Sequence, residues 1–284
     1  MTIRFSVLTE NSVGVNGVMA EWGWSVFVET DTHAFLLDTG PGTSACHNAQ
    51  MLGIDLKRAD KIVLSHSHFD HTGGLREMLR IMGKKEIEIV AHPAIWSKRY
   101  NRKKSGDMYM GMPFQREELE TYGARFHLTH EPYQLLPDVT TCGEVPMNTD
   151  FEAKSTPAHG ETGRYLIDAS GERVDSMADD LAVIVNSSEG LIVFLGCAHR
   201  GIINTLHHAQ QVCGEERIHA VIGGAHLVAE SNERIEKTIA VLDEMQIQKI
   251  GLCHCTGPRA VARMIDRFGD RFIFCNAGSR HQFP

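Results

Sequence analysis

The sequence predicts an α/β fold, an αββα sandwich in which two mixed sheets pack face to face between outer helices. Each half of the 284-residue chain begins with strand-like segments and continues with helical ones. Both halves also place His, Asp or Cys directly after strands. The composition, 42% hydrophobic and 23% charged, is that of an ordinary globular protein. We therefore expect a single domain over residues 1–284, with one site where the strand ends converge.

The first half begins with a hairpin and continues with strand–helix units. The apolar runs Trp24–Glu29 and Ala34–Leu37 flank a turn-like triplet, which favours a hairpin. A short strand at Lys61–Leu64 leads into a polar loop. Apolar residues then recur at i, i+3, i+4 and i+7 over Leu75–Met82, which predicts an amphipathic helix, and Glu86–Ala91 reads as the next strand.

Residues 95 to about 150 interrupt this pattern. They show little periodicity, and the one good helix candidate, Gln115–Tyr122, is short. They also contain a basic run, which consists of Lys98, Arg99, Arg102, Lys103 and Lys104. We expect this segment to be an insertion that covers the site.

Strand signals return in the second half. A plausible hairpin joins Leu181–Val185 to Leu191–Leu195, and a helix over Ile202–Cys213 should end at Gly214. The remaining predicted elements are strands at Ala220–Ile222, Lys249–Leu252 and Phe272–Phe274 and a helix around Ile235–Leu242.

Charge and cysteine content exclude several classes of protein. The chain has 28 Lys+Arg against 36 Asp+Glu, a net charge of −8, which argues against nonspecific nucleic-acid binding. No apolar run approaches the length of a membrane span, and the first residues lack the order of a signal peptide, so we expect a cytoplasmic protein without a membrane partner. The seven cysteines form no CxxC pair, which disfavours a disulfide framework. The oligomeric state is left open.

One short segment concentrates side chains that can bind metal. His66, His68, Asp70 and His71 lie within six residues, directly after a predicted strand. In an extended loop His66 and His68 point the same way and can bind one ion. The chain then turns, so Asp70 and His71 can face a neighbouring ion. Imidazoles with a carboxylate suit zinc, and iron or manganese as alternatives.

This HxHxDH motif, with Asp38-Thr39-Gly40 upstream, resembles the metallo-β-lactamase superfamily of αββα metallohydrolases. Within it, the sequence is similar to the branch named after dihydropterin–ribofuranosylaminobenzene 5′-phosphate synthase. The stretches that carry this second resemblance are Gly196-Cys197-Ala198-His199, Gly223-Gly224-Ala225-His226-Leu227 and His254-Cys255-Thr256-Gly257.

The resemblance implies further metal ligands in the second half. Cys197 matches the position of a ligand that bridges or caps the metals. The third histidine is His199, two residues further on, or His159 far upstream. The final histidine is His254, with His226 beside the substrate, or His226 itself. Cys255, next to His254, is expected to face away as a small core residue.

Two aspartates each have two alternative roles. Asp38 either accepts the ring N–H of a ligand histidine or caps the turn at Gly40. Asp180, next to Asp179, is expected to line the site as a catalytic acid or proton acceptor, with a solvated hairpin entrance as the alternative.

The implied enzyme is a hydrolase with two divalent ions, most simply zinc. A metal-activated water, oriented by Asp70, would attack an ester, phosphoester or related bond. The substrate is expected to be a small, phosphorylated anion, gripped by Arg102 and Lys103 of the basic run. The alternatives are a pterin-transferring synthase, which acts with loss of pyrophosphate, and a ligand sensor without catalysis.

Overall fold

Most apolar runs of the sequence become strands in the computed structural model, which describes residues 1–84, 86–153, 163–168 and 170–284. The strands are β1 Ile3–Thr9, β2 Ser25–Glu29, β3 Ala34–Leu37, β4 Lys61–Val63, β5 Ile87–Ala91, β6 Lys98–Lys103, β7 Gly106–Tyr109, β8 Ala124–Leu128, β9 Tyr133–Leu136, β10 Val139–Thr141, β11 Gly163–Asp168, β12 Gly171–Val174, β13 Ala182–Ser187, β14 Gly190–Leu195, β15 Ile218–Gly224, β16 Lys249–Cys253 and β17 Arg280–Phe283.

The helices follow strands in both halves, as predicted. They are α1 Ser44–Met51, α2 Phe69–Thr72, α3 Leu75–Met82, α4 Arg116–Thr121, α5 Asp150–Ala153, α6 Ile202–Cys213, α7 Asn232–Glu244 and α8 Pro258–Phe268. The four apolar positions that predicted α3 are all buried, and α6 ends at Gly214 in the left-handed conformation that glycine adopts without strain. No helix in the described part of the chain is long and apolar enough to cross a bilayer.

Two mixed sheets form the centre of the fold, as predicted. The first has the order β17-β1-β2-β3-β4-β5-β8, with parallel pairing from β3 to β8. The second has the order β16-β15-β14-β13-β10-β9, with β14, β15 and β16 parallel. Parallel neighbours end at the same edge of a sheet. The loop after β4 therefore lies at one edge of the first sheet, and the loops after β14, β15 and β16 lie together at one edge of the second.

The core lies between these sheets and continues under the outer helices. Phe5 and Phe35 of the first sheet meet Phe194 of the second, with ring centroids 5.4 and 6.3 Å apart. On the opposite face of the first sheet, Leu36 and Ile62 pack with α1 and α3. Burying each such side chain contributes about 1.5–3 kcal/mol, so both faces of the strands are held by apolar contact.

The structure corrects the expectation of one insertion over 95–150. Strand β8 is an edge strand of the first sheet, and β9 and β10 belong to the second. Only β6 and β7 lie outside them, in a separate four-stranded sheet with β11 and β12. The strand at β8 was missed because Arg125 and His127 interrupt its apolar pattern, as an edge strand with one solvated face permits.

The predicted strand at Phe272–Phe274 is also wrong. Phe272 forms one isolated bridge to Ile250, and Phe274 is exposed. The last strand is β17 instead, which pairs with β1.

Candidate metal centre

The loop after β4 brings the residues of the HxHxDH motif together. Nε2 of His66 lies 3.1 Å from Nδ1 of His68, and the short helix α2 places Asp70 and His71 beside them. All four side chains are buried. The loop packs closely because Gly74 follows it: a Cβ there would lie 2.1 Å from the carbonyl oxygen of Thr39. The glycine therefore lets residues 65–72, which we call the metal loop, approach the turn after β3.

The ends of β14 and β16 supply the other half of the centre. Sγ of Cys197 lies 3.1 Å from Nε2 of His71, and Nε2 of His254 lies 3.4 Å from Oδ2 of Asp70. Ligand atoms of His66, Cys197 and His199 lie within 4.8 Å of one another, as do those of His71, Cys197 and His254. Cys197 thus belongs to both of these groups of potential ligands. His159 lies outside the described residues.

The chemistry of these groups fits divalent metal ions. Among the described residues, the buried atoms without a hydrogen-bond partner include three of candidate ligands: Oδ1 of Asp70, Nε2 of His199 and Nε2 of His254. Leaving such atoms unpaired costs about 1–3 kcal/mol each. Imidazole, thiolate and carboxylate are the ligands that zinc prefers in proteins, and a metal ion would satisfy all three atoms.

Asp38 determines the orientation of two of the histidines. Its Oδ2 lies 2.7 Å from Nδ1 of His71 and accepts the hydroxyl of Ser65 at 2.6 Å, while Oδ1 accepts the Ser65 N–H. The Ser65 hydroxyl in turn lies 2.9 Å from Nδ1 of His66. With the Ser65 proton donated to Asp38, both imidazoles carry their protons on Nδ1 and leave Nε2 free for metal. The histidine-orienting interpretation of Asp38 therefore agrees with the structure.

Asn11 plays the corresponding part for His254. Its side-chain oxygen lies 3.0 Å from Nδ1 of His254, and its amide nitrogen donates to the His254 carbonyl. Nothing in the sequence pattern singled out Asn11, because it lies about 240 positions away in the loop after β1.

The two aspartates after β12 act on different neighbours. Asp179 accepts the backbone N–H of Ser67 in the metal loop and lies 2.7 Å from a guanidinium nitrogen of Arg99. Asp180 accepts the backbone N–H of Arg200, next to His199, and its Oδ1 has no partner among the described residues. Asp179 thus supports the metal loop, whereas a catalytic role for Asp180 stays a prediction.

Arg102 and Lys103 of the basic run make contacts within their own sheet. Arg102 pairs with Glu172 at 3.0 Å and Asp107 at 3.5 Å, and its guanidinium covers the ring of Tyr165. Side chains alternate between the faces of a strand, so Arg102 points away from the face of β6 that carries Arg99. Lys103 is exposed, with Nζ 4.0 Å from the sulfur of Met108. Substrate binding by Arg102 and Lys103 stays a prediction, and none of these contacts supports it.

Arg164 is a cation at the centre that sequence reasoning missed. Its guanidinium donates to Nδ1 of His199 at 3.0 Å and to Nε2 of His226 at 2.6 Å. The pairing of β11 with β6 positions Arg164. This pairing cannot be read from the sequence around a single arginine.

Cys255 also lies at the centre, contrary to the expectation that it faces away. Its sulfur accepts the backbone N–H of His226 at 3.3 Å. Ligand atoms of Cys197, His226 and Cys255 lie within 4.8 Å of one another. A Cβ on Gly224 would lie 2.5 Å from this sulfur, so the glycine makes room for it.

The histidines of the metal-free site differ in the direction in which their pKa is shifted. Burial lowers the pKa of His66 and His68 well below the usual value, and neighbouring positive groups lower the pKa of His66 further. Burial also acts to lower the pKa of His71, but Asp38 and Asp70 raise it to about 9. Burial raises the pKa of Asp180 to about 7 and that of the Cys197 thiol well above its usual value.

The backbone at the site is strained. Ala198, His226 and His254 adopt left-handed conformations, with φ between 48° and 52°. Each costs on the order of 1–3 kcal/mol in a residue with a Cβ, and such strain is typical of functional sites.

Comparison with known proteins agrees with this geometry. The family model described as the metallo-beta-lactamase superfamily matches residues 23–163. The 7,8-dihydropterin-6-methyl-4-(beta-D-ribofuranosyl)-aminobenzene-5'-phosphate synthase of Methanocaldococcus jannaschii is 31% identical, over 99% of this chain and 97% of its own.

Two solved structures are similar over nearly the whole chain. The crystal structure of Tm1679, described as a metal-dependent hydrolase of the beta-lactamase superfamily, is 28% identical with a TM-score of 0.81 over 98% of both chains. Zn²⁺-bound PqqB from Methylobacterium extorquens, 12% identical with a TM-score of 0.57 over 98% of this chain and 99% of its own, shares the fold alone. The chain therefore belongs to the metallo-β-lactamase superfamily, in the branch that contains the Methanocaldococcus jannaschii synthase.

Proposed function

We propose that this protein is a metal-dependent hydrolase that holds two divalent ions, zinc in the first place, and cleaves an ester, phosphoester or related bond of a small phosphorylated substrate. The observation that carries the proposal is the pair of ligand groups that share Cys197. When bound, two ions would supply Lewis acidity, which lowers the pKa of a coordinated water and stabilises negative charge on oxygen.

The chain's own residues divide between the two ions. His66, His68 and His199 would hold one ion and Asp70, His71 and His254 the other, with Cys197 common to both. Asp70 also has an oxygen without a partner, which suits it to orient the attacking water.

Arg164 is the residue we propose for binding the substrate anion. A metal on Nε2 of His199 requires the proton on Nδ1, the atom that now accepts from Arg164. The guanidinium would then be released from this histidine, beside the ions, where it can bind phosphate or carboxylate through two N–H bonds.

Asp180 is the residue we propose as proton acceptor. Its unpartnered Oδ1 and its pKa of about 7 would let it take up and return a proton near neutral pH.

A second candidate is pterin-transferring synthase chemistry. It is favoured by the 31% identity to the Methanocaldococcus jannaschii synthase across almost the full length of both chains. In that reaction the amine nitrogen of an aminobenzene would bond to the methyl carbon of the pterin as pyrophosphate and a proton leave, so the ions and Arg164 would stabilise the leaving group.

The test begins with elemental analysis of the purified protein. Metal-loaded protein is then assayed against chromogenic phosphodiesters, esters and lactams. It is assayed separately for pyrophosphate release from a dihydropterin pyrophosphate donor, with and without an aminobenzene acceptor. We expect hydrolytic turnover and two metal equivalents per chain. The variant His68→Ala should lose turnover and metal together, whereas the surface variant His33→Ala should keep turnover and metal. Pyrophosphate release without hydrolysis would select the synthase. Ligand binding without any turnover would select the sensor. Two metal equivalents in His68→Ala would refute the site.

A further inference from the structure

We propose that a cavity on the outer face of the first sheet, remote from the metal centre, binds a small phosphate-bearing anion. The cavity has a volume of about 330 Å³ and lies where β1, β2 and β17 meet the end of α1. Arg4, Arg58 and Arg280 line it, and among the described residues Glu29 is the single carboxylate in its lining. None of these residues is a candidate metal ligand, so the site does not depend on the proposed function.

Strand pairing places two of the arginines close together on one face. Phe5 points into the core between the sheets, so its neighbours Arg4 and Ser6 point to the outer face. Ser6 pairs with Arg280 of β17. Arg4 pairs with Gln282, two residues further along that strand. Arg4 and Arg280 are therefore diagonal neighbours, roughly 7–8 Å apart, and both guanidinium groups can reach one anion.

The positive charge of the cavity is only partly neutralised. Arg58 pairs with Glu29, with Nη1 2.7 Å from Oε1. The Arg280 guanidinium donates to a neutral partner, the carbonyl of Leu52 at the end of α1. In the part of the chain that the structure describes, Arg4 has no hydrogen bond or ion pair. Two guanidinium charges are thus left there without a carboxylate, in a protein whose net charge is −8.

A buried hydroxyl lies next to both of these arginines. Ser6 is 6% exposed and lines the cavity. Among the residues that the structure describes, none forms a hydrogen bond with its side chain. A buried hydroxyl without a partner is costly, and an oxyanion in the cavity would accept its proton. Phosphate fits this set of donors, because Arg binds two of its oxygens at once and a hydroxyl can donate to a third.

The cavity is separate from the metal centre. Strand β1 ends at Thr9, which packs against Gly40: a Cβ on Gly40 would lie 2.7 Å from the Thr9 hydroxyl oxygen. Gly40 belongs to the turn after β3, which contacts the metal loop through Thr39 and His71. Arg4 lies five positions before Thr9, so about 17 Å of strand separates it from this edge. The anion bound here is therefore a second ligand, distinct from a substrate held by the ions.

The size of the cavity limits the ligand. A volume of about 330 Å³ is at the lower end of the range for small-molecule sites, roughly 300–1,000 Å³. It suits inorganic phosphate or a small phosphate ester. Both present the same oxyanion to the arginines, and they differ in whether a carbon group occupies the rest of the cavity.

The experiment measures binding of inorganic phosphate and of phenyl phosphate by calorimetry, in metal-loaded and in chelated protein. Binding at this cavity should be the same in both preparations, whereas phosphate held by the ions is lost with the chelator. We expect Arg4→Ala to weaken this binding about tenfold or more, because it removes a charge-assisted hydrogen bond. The variant loses no hydrogen bond or ion pair among the described residues, so its fold should be intact. Ser6→Ala should weaken binding about fivefold, as expected for a neutral donor.

A second measurement locates the bound anion. Phosphate should slow amide hydrogen exchange in β17, because the anion would tie Arg280 of that strand to Arg4 of β1. Tighter binding of phenyl phosphate than of phosphate would identify an ester as the ligand, and equal binding would identify free phosphate. Either result supports the site.

The matched control is Arg125→Ala, which removes an exposed arginine from β8 at the other edge of the same sheet. It should bind phosphate like the parent, and so should Arg164→Ala, because Arg164 lies at the metal centre. Unchanged phosphate affinity in Arg4→Ala would overturn the proposal, as would binding in chelated protein that Arg164→Ala abolishes. Binding of a single-stranded oligonucleotide that depends on Arg4 and is tighter than that of phosphate would also overturn it, since the surface would then be a nucleic-acid site.

Discussion

Replacing Asp38 by asparagine tests how one carboxylate controls both groups of metal ligands. In the parent protein, Asp38 accepts from Nδ1 of His71 and from the hydroxyl and N–H of Ser65. The Ser65 N–H can only donate, so in Asp38→Asn the remaining oxygen must stay opposite it. The new NH₂ group then faces His71 and the Ser65 hydroxyl.

This reversal moves the proton on both histidines. An amide that donates to Nδ1 of His71 leaves the imidazole proton on Nε2, the atom 3.1 Å from Cys197. The Ser65 hydroxyl, now an acceptor from the amide, donates to Nδ1 of His66, which moves that proton to Nε2 as well. A protonated nitrogen cannot bind metal. Each ion should therefore bind about 10–100-fold more weakly, a loss of about 1.4–2.7 kcal/mol.

The assay is competition for Zn²⁺ with a chromogenic chelator at pH 7.5, followed by elemental analysis after gel filtration. Asp60→Asn is the matched control, because Asp60 also lies against a histidine, His33, at 3.3 Å but on the surface. It should bind metal like the parent. Denaturant unfolding of both variants without metal separates an effect on folding from one on binding. If Asp38→Asn keeps two ions with affinities within about threefold of the parent, well short of the loss expected, the tautomer argument is wrong.

Four further predictions concern the same centre. With Co²⁺ in place of the native metal, the parent should show sulfur-to-metal charge-transfer absorption that Cys197→Ser abolishes and Cys253→Ser retains; equal spectra would exclude a Cys197–metal bond. Metal binding at pH 7 should release about two protons, one from His71 and one from the Cys197 thiol, so the calorimetric enthalpy should depend on the buffer. For His71, whose pKa is raised from 6.5 to about 9, the stabilisation of the metal-free fold is present below pH 6.5 and lost as pH rises through 9; a flat stability profile across that window contradicts this. Finally, Arg164→Ala should raise KM for a phosphorylated substrate about tenfold or more and leave that for its dephosphorylated analogue unchanged, whereas Arg102→Ala should change neither.

The parts of the structure that depend on local pattern could be predicted from the sequence. Helix α3 follows from its apolar spacing, and the dense motif from His66 to His71 specifies a metal loop on its own. Cys197 and His254 were predicted from the family resemblance. They meet in the structure because parallel strands end at the same edge, which brings residues just past them together.

Residues whose position depends on tertiary pairing could not be predicted. Cys255 reaches the centre because the chain forms one 3₁₀ turn directly after β16, with His254 in a left-handed conformation, and no periodic pattern specifies that turn. The position of Arg164 depends on the pairing of β11 with β6. Arg99 and Arg102 carry the same charge in the sequence, and only the strand β6 places their side chains on opposite faces. A run of like charges does not show which member is buried.

The two halves of the candidate metal centre come from different sheets: His66, His68 and His71 follow the first, and Cys197 and His254 follow the second. An ion held by His71, Cys197 and His254 would therefore act as a cross-link between the two layers, and the cross-link would form only when they are packed. At a free concentration one hundred times its Kd, each such ion would add about 2.7 kcal/mol to the stability of the folded chain. The melting temperature of this protein should thus follow metal supply, and proteases should cleave it faster when a chelator removes the cross-link.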